Sequence, residues 1–150
     1  MPDPVDLRAP AMLEGAKALY GWEMANVRRV ERDLGFSFGL ATPWGELGDD
    51  ERAGYLARAK ACIDAAAENH ATMKAAIEAG AAALSDYDED ECDRAAASDP
   101  RLAAEFEAAG LVRKPFHDIE AYLRDAFIGR ASAILAAAVV CATLPGGSNG

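Results

Sequence analysis

The side chains best suited to bind a ligand are two arginines and the aromatic residues that precede them. Arg52 and Arg58 follow Trp44, and the loop upstream of Trp44 carries Phe36 and Phe38. A guanidinium beside aromatic rings can hold a flat anion by ion pairing and stacking. The sequence therefore predicts a pocket for a small, nucleotide-like anionic ligand, formed by Arg52, Trp44, Phe36, Phe38 and Arg58.

Arg52 also has a purely structural interpretation. It lies in the first turn of a predicted helix, where the helix dipole disfavours a positive charge, so it needs a local acceptor. Glu46 and the carbonyl groups of the preceding loop are close in sequence. On this interpretation Arg52 braces the turn that begins at Pro43 and binds no ligand.

A buried polar pair could form between Glu23 and His70. Both residues interrupt apolar stripes of predicted helices, and antiparallel packing with Leu34 beside Leu56 would bring them within about one helical turn. A carboxylate raises the pKa of a neighbouring imidazole, so such a pair could fix the helix register or bind a proton or a ligand. The alternative places Glu23 at the edge of its stripe, with Met24 in the core, and gives His70 a single hydrogen bond.

Catalytic, metal and cofactor sites are not indicated. The two histidines are far apart, and the acidic run of residues 86–93 has Glu91 at the position where a calcium loop requires glycine. Cys62 is predicted to be a small core residue, and Cys92 lies among carboxylates that disfavour its thiolate. We therefore predict a non-enzymatic protein without cofactor or metal.

The composition favours a protein with an acidic surface. Acidic residues outnumber Lys and Arg by 25 to 15, which gives a formal net charge of -10 over 150 residues. This charge repels nucleic acid and anionic lipid, so we predict no direct nucleic-acid binding and no membrane association, and it suits a protein partner with a basic surface. The chain starts without a basic and apolar leader, its three cysteines are widely spaced, and its most apolar run, 131–145, is short for a membrane span. A cytoplasmic location is expected.

The spacing of the apolar residues predicts an all-α fold in one domain. A first helix is expected at 10–34, a short helix at 100–109 and a last helix at about 115–144, whereas the acidic run should form a turn or a frayed helix. A single continuous helix is predicted for 49–87, because apolar residues recur there at spacings of three and four. Its stripe consists of Leu56, Ala59, Ile63, Ala66, His70, Met73, Ile77, Gly80 and Leu84.

The chain contains a candidate internal repeat. Residues 43–66 align without a gap to 115–138, so that Arg52 and Arg58 correspond to Arg124 and Arg130, and residues 15–19 resemble 80–84. The predicted architecture is an antiparallel helical bundle of two fused helical-hairpin repeats that share the long central helix. Repeat one covers about 10–69 and repeat two about 70–144, with flexible ends at 1–9 and 145–150.

Part of the first repeat resembles a known family. Gly35-Phe-Ser-Phe-Gly39, then Pro43-Trp-x-x-Leu47 and a helix with Arg52, is similar to the helical hairpin of the ryanodine-receptor (RyR) repeat, with its G-W-x-Y-G, P-Y-x-x-L and basic helix. Phenylalanine replaces both aromatic residues of the first motif, and the second repeat lacks that motif. The chain also resembles small helical proteins of unassigned role encoded by bacteria and their phages. The resemblance implies protein interaction or ligand sensing without catalysis.

Two functions remain open at this point. The first is a non-enzymatic protein-interaction or ligand-sensing regulatory module, whose alanine-rich seams also permit a homodimer. The alternative is an acidic, phage-type inhibitor or DNA mimic that binds a basic surface of a host protein. An aromatic pocket beside Arg52 would favour the module, and acids at phosphate-like spacing on one face would favour the mimic.

Overall fold

The protein is helical throughout the part of the chain that a computed structural model describes. This part is residues 4–37, 39, 42–110 and 113–143, with side chains described for 10–37, 39, 42–110 and 113–139. It contains α1 (Pro4–Leu34), α2 (Asp49–Glu68), α3 (Met73–Ser98), α4 (Pro100–Ala108) and α5 (Ala121–Thr143). Short 3-10 turns, Trp44–Glu46 and Phe116–Asp118, precede α2 and α5, and these described ranges contain no strand. The all-α class predicted from the sequence is confirmed.

Helices α1, α2, α3 and α5 form an antiparallel bundle, and α4 packs on α3. Contacts between neighbouring helices fix their directions. Helix α1 runs antiparallel to both α2 and α5, and α2 runs antiparallel to α3. Helix α3 must therefore run antiparallel to α5. The contacts are Gly15 with Ile134 and Trp22 with Gly129 for α1 and α5, Gly15 with Ala59 and Tyr20 with Tyr55 for α1 and α2, and Cys62 with Gly80 and Arg58 with Glu91 for α2 and α3.

The core between these helices is built mostly from small side chains. Alanine and glycine allow helix backbones to approach closely, so the few larger residues fill the remaining space. Leu19 and Ile134 are the largest fully buried apolar side chains. The buried cluster consists of Ala16, Leu19, Ala59, Cys62, Ala81, Leu84, Phe116, Ala131 and Ile134.

The predicted continuous central helix is wrong, because the chain reverses between α2 and α3. Helix α2 ends at Glu68, and α3 begins after Thr72, whose side chain accepts a hydrogen bond from the Ala75 amide at 3.0 Å. A threonine at this position satisfies an amide at the start of a helix. The apolar spacing continues across the turn because both helices face the same core, so spacing alone could not reveal the reversal.

The acidic run lies in an uninterrupted helix, whereas the sequence predicted a turn or a frayed helix for it. Residues 86–93 lie within α3, which continues to Ser98. Arg113 lies 3.8 Å from Asp86, 2.8 Å from Asp90 and 2.9 Å from Asp93. These ion pairs, together with those of Arg58 described below, compensate the repulsion that would otherwise open the helix.

Most of the helix ends agree with the sequence analysis. Helix α1 ends at Leu34, followed by Gly35 with a positive φ of 76°, and Gly110 has a φ of 73° after α4. Glycine adopts this left-handed conformation without strain, which explains both stops. Helix α1 begins earlier than predicted, at Pro4 instead of Pro10, and α5 begins later, after a 3-10 turn. The predicted tail 145–150 lies outside the described residues.

No helix in the described ranges is both long enough and apolar enough to cross a membrane. Within α5, the apolar run contributes the buried side chains Ala131, Ile134 and Ala138 to the core.

Candidate functional site

A polar cleft lies at the end of the bundle where α2 and α5 begin. Its volume is about 380 Å³, and it is bordered by α1, α2, α3 and α5. Leu19 and Leu84 lie at its floor, since both are buried, and Tyr55 and Phe127 contribute aromatic rings. The polar lining comes from Glu23, Asp50, Glu51, Arg58, Asp88, Glu91 and Arg130.

Arg58 is held by two carboxylates of α3. Its Nε lies 3.3 Å from Asp88 Oδ1, and its Nη2 donates to Glu91 Oε2 at 2.7 Å. Its guanidinium also stacks over the Tyr87 ring, 4.8 Å from the ring centroid. Ion pairing and cation–π contact together fix this side chain in one orientation.

Arg130 is held in a related way by α1. Its Nε lies 3.4 Å from Glu23 Oε1, and its guanidinium lies 4.8 Å from the centroid of the Trp22 ring and 5.4 Å from that of Phe127. The Arg130 side chain is 27% exposed, so it remains accessible from the cleft. Gly129 permits the close approach of Trp22, because a Cβ at this position would lie 2.9 Å from the indole.

Glu23 connects Arg130 to Tyr55. The Tyr55 hydroxyl donates to Glu23 Oε2 at 2.8 Å, and the Tyr55 ring packs against Tyr20 and Trp44 with centroids 5.4 and 6.0 Å apart. Burial, and then the hydrogen bond to the negative Glu23, raise the pKa of Tyr55 above its usual range. Tyr55 therefore enters the cleft as a neutral phenol.

The raised pKa of Tyr55 predicts a loss of stability at alkaline pH. The phenol ionises near its ordinary value of 10.0 in the unfolded chain, whereas the folded protein keeps it protonated to higher pH. The folded state therefore binds more protons above about pH 10, so the free energy of unfolding falls as the pH rises further. Urea denaturation between about pH 10 and 12 should show a smaller fall for Tyr55→Phe than for the unaltered protein. The buried Cys62 thiol is present in both proteins and contributes equally to the fall. An equal fall in the free energy of unfolding would therefore contradict the assignment to Tyr55.

The predicted Glu23–His70 pair does not form. His70 is exposed in the turn between α2 and α3, with Nδ1 2.8 Å from the Ala67 carbonyl oxygen. Glu23 binds Tyr55 and Arg130 at the opposite end of the bundle. The assumed register was wrong: Gly15 lies beside Ala59, which places Leu34 beyond the start of α2.

The four described residues of the predicted anion pocket do not line one cavity. Arg58 lies in the cleft, whereas Trp44 packs against Tyr20 and Tyr55, and Arg52 binds the turn before α2. Phe36 is 53% exposed and lies beside Arg28 and Arg32, near the end of α1. Phe38 lies outside the described residues.

Arg52 and Arg124 each close a 3-10 turn. Arg52 Nη1 donates to the Gly45 carbonyl at 3.0 Å and Nη2 to Asp49 at 2.6 Å, while Arg124 Nη1 donates to the His117 carbonyl at 2.7 Å. A loop carbonyl is the kind of acceptor that the structural interpretation of Arg52 requires. Both residues act as braces.

Removing either brace should cost a measurable part of the stability. Arg52→Met or Arg124→Met loses a charge-assisted hydrogen bond, and the free energy of unfolding should fall by about 1 kcal/mol because both sites are partly solvated. Arg101→Met, on the exposed face of α4, is the matched control and should change it by less than about 0.5 kcal/mol. Urea denaturation measures all three, and unchanged midpoints for both brace variants would exclude bracing.

No protein-family model, curated protein or solved structure matches this chain. The function must therefore be inferred from the geometry of the cleft.

Neither described cysteine has the environment of a nucleophile. Cys62 is fully buried, and burial raises the pKa of its thiol to about 12. The pKa of Cys92 is raised by partial burial and then by the negative charges of Glu89 and Asp88. Among the side chains that the structure describes, no group of three or more His, Cys, Asp or Glu residues is arranged to hold a metal ion.

Sequence reasoning singled out Glu23, Arg58 and Arg130 but missed the other residues that hold the two arginines, and it paired Glu23 with His70. Trp22, Tyr87 and Asp88 belong to helices that the wrong register placed elsewhere, and the acidic run was assigned to a turn or a frayed helix. One signal was available: Trp22-Glu23 and Tyr87-Asp88 are both an aromatic residue followed by an acid, each seven residues after the aligned glycines at 15 and 80.

Proposed function

We propose that this protein is a non-enzymatic, ligand-sensing regulatory module whose ligand binds in the polar cleft. One observation carries the proposal: two arginines, oriented by carboxylates and aromatic rings, border a cavity of about 380 Å³ at one end of the bundle. Cavities between the helices of a bundle, with an apolar floor and a few oriented polar groups, are typical small-molecule sites. Because the arginines are held before a ligand arrives, binding costs little side-chain entropy.

We further propose that the two halves of the chain are copies of one helical unit, joined at the turn between α2 and α3. Equivalent contacts support this proposal. Gly15 contacts Ile134 and Ala59, and Gly80 contacts Cys62 and Ala131. The sequence alignment pairs Gly15 with Gly80, Ile134 with Cys62, and Ala59 with Ala131. The hydrogen bonds of Arg52 and Arg124 to their 3-10 turns also correspond. So do the ion pair of Arg58 with Asp88 and that of Arg130 with Glu23. The repeats do not share a helix, since the predicted boundary at 69/70 falls in that turn.

The duplication explains the position of the cleft. Leu19 corresponds to Leu84, Tyr55 to Phe127 and Arg58 to Arg130, and all six line the same cavity. The cavity thus lies on the approximate two-fold axis that would relate the two copies. A ligand bound there touches both halves, so its binding can alter their packing and be read by a protein partner.

A binding role is favoured over catalysis by the state of the polar groups. Tyr55 is held neutral, and Glu23, Asp88 and Glu91 already accept hydrogen bonds or ion pairs from the protein. The resemblance to the RyR repeat implies a comparable role, although the proposal rests on the cleft and not on that resemblance.

The alternative, an acidic inhibitor or DNA mimic, has less support. It needs carboxylates that are available to a basic partner, whereas α3 uses five acids of its run to bind Arg58 and Arg113. Those acids contribute to the fold of the protein itself.

Amide NMR spectra recorded with pools of amino acids, nucleotides and polyamines test the ligand-sensing proposal. Ligand binding should shift the amide signals of Gly54, Tyr55, Phe127 and Arg130. Gly54→Leu should abolish these shifts by filling the cleft, because Gly54 lines it and a Cβ there faces only the flexible end of Arg58 at 3.1 Å. Gly21→Leu is the matched control, since Gly21 is exposed with no atom within 4 Å of an added Cβ. Shifts confined to another surface, or equal shifts in Gly54→Leu, would reject the cleft as the site.

A further inference from the structure

The two arginines of the cleft are paired to different extents. Arg58 has two carboxylates, Asp88 and Glu91, three residues apart on α3. Arg130 has Glu23, but the residue three positions further along α1 is Asn26, whose side-chain oxygen accepts from Arg29 at 2.6 Å. Arg130 therefore lacks the second carboxylate that Arg58 possesses.

This difference leaves one edge of the Arg130 guanidinium open. Its ion pair with Glu23 runs through Nε, and its two Nη atoms donate no hydrogen bond to any of the described residues. The Trp22 and Phe127 rings restrict the guanidinium, so the open edge keeps a defined direction. A carboxylate can bind such an edge with two parallel hydrogen bonds.

The rim of the cleft carries the opposite charge. Asp50 and Glu51, in the first turn of α2, line the same cavity, and neither forms an ion pair within the described part of the chain. Asp50 and Glu51, together with Glu23, Asp88 and Glu91, bring five carboxylates to a cavity that has two arginines. The cavity therefore carries a net negative charge. A ligand that brought only a carboxylate would be opposed by this excess, whereas one that also carries an ammonium group would be compensated.

The floor of the cleft is apolar. Leu19 and Leu84 are buried beneath it, and Phe127 forms part of its wall. An aliphatic or aromatic side chain of a ligand would displace water from the partly exposed rings of Phe127 and Tyr55 with a favourable free energy.

From these three features, and on the basis of the function proposed above, we propose that the cleft binds a free α-amino acid with an apolar side chain. Its carboxylate occupies the open edge of Arg130, its ammonium group faces Asp50 and Glu51, and its side chain packs on the rings of Phe127 and Tyr55.

Isothermal titration calorimetry with leucine and two analogues tests each contact separately. 3-Methylbutylamine lacks the carboxylate of leucine, and 4-methylpentanoate lacks its ammonium group. Leucine should bind at least tenfold more tightly than either analogue. An affinity for 3-methylbutylamine equal to that for leucine would exclude the Arg130 contact, and equal affinity for 4-methylpentanoate would exclude the contact with Asp50 and Glu51.

Asn26→Glu provides a variant that tests the open edge without removing any charge from the cleft. The new carboxylate should pair with Arg130 as Glu91 pairs with Arg58, and leucine binding should weaken at least tenfold while the protein becomes no less stable to urea. Ala25→Glu is the matched control, because it adds the same charge at the neighbouring, exposed position. Unchanged affinity in Asn26→Glu would overturn the assignment of the carboxylate site.

Failure of this inference can be distinguished from failure of the proposed function. If leucine, methionine and phenylalanine all fail to bind, the amino-acid proposal is wrong. The ligand-sensing proposal still stands in that case if another compound shifts the cleft amides in a manner abolished by Gly54→Leu.

Discussion

Leu19→Ala should lower the free energy of unfolding by about 3 kcal/mol. Leu19 is fully buried between the helices and lies at the floor of the cleft. Truncating a buried leucine loses its transfer free energy and leaves a cavity that neighbouring groups fill only partly, and measured costs are about 2–5 kcal/mol. The surrounding alanines offer little freedom to collapse into the space. Urea denaturation followed by circular dichroism gives the value.

Two further leucines make this prediction specific. Leu84→Ala should cost a similar amount, because Leu84 is 2% exposed and lines the same cleft as Leu19. Leu13→Ala, on the same helix as Leu19, is the control, since Leu13 is 37% exposed and its loss should cost about 1 kcal/mol or less. A small effect for Leu19 and a large one for Leu13 would show that α1 packs with a different face inward.

Gly80→Ala should lower the free energy of unfolding by about 1 kcal/mol, although alanine is the better helix former. A Cβ at Gly80 would lie 2.7 Å from the Cys62 Sγ, in the contact between α2 and α3. Overfilling a packed core costs about 1–3 kcal/mol, which exceeds the roughly 1 kcal/mol that alanine gains over glycine in a helix. Thermal and urea denaturation should both show the loss.

The sign of the effect separates packing from helix propensity. Gly21→Ala, in the middle of α1 with open space around its added Cβ, should raise the free energy of unfolding by about 0.5–1 kcal/mol. In a Cys62→Ala background, Gly80→Ala should become neutral or stabilising, because the obstructing sulfur is gone. If Gly80→Ala were stabilising in the unaltered protein, the close crossing of α2 and α3 would be incorrect.

The sequence predicted local structure better than the relation between helices. Glycine stops after α1 and α4, and the Asp99–Pro100 start of α4, follow from conformational preferences of single residues, and all are present. Packing register depends on which faces meet, and apolar residues in an alanine-rich chain mark those faces weakly. The turn at 69–72 was missed for this reason, although Thr72 carried a capping signal.

The cleft could be predicted only in part. Aligning the two halves identified Arg58 and Arg130, because arginines stand out against alanine. Their partners lie in α1 and α3, at sequence separations of about 30 residues for Arg58 and over 100 for Arg130, so only the fold brings them together. Once Asp88 and Glu91 are seen to hold Arg58, the acidic run is explained as part of an uninterrupted helix and not as a turn or a frayed helix.

Native mass spectrometry of the protein purified gently from a bacterial host tests the central claim, ligand binding in the arginine cleft, most directly. Three proteins are compared: the unaltered chain, Arg130→Gln, and the control Arg101→Gln, which removes an exposed arginine of α4. The account predicts a bound small molecule in the unaltered protein and in Arg101→Gln, and its loss from Arg130→Gln. Equal retention by all three, or bare protein throughout even after incubation with a bacterial metabolite extract, would contradict it.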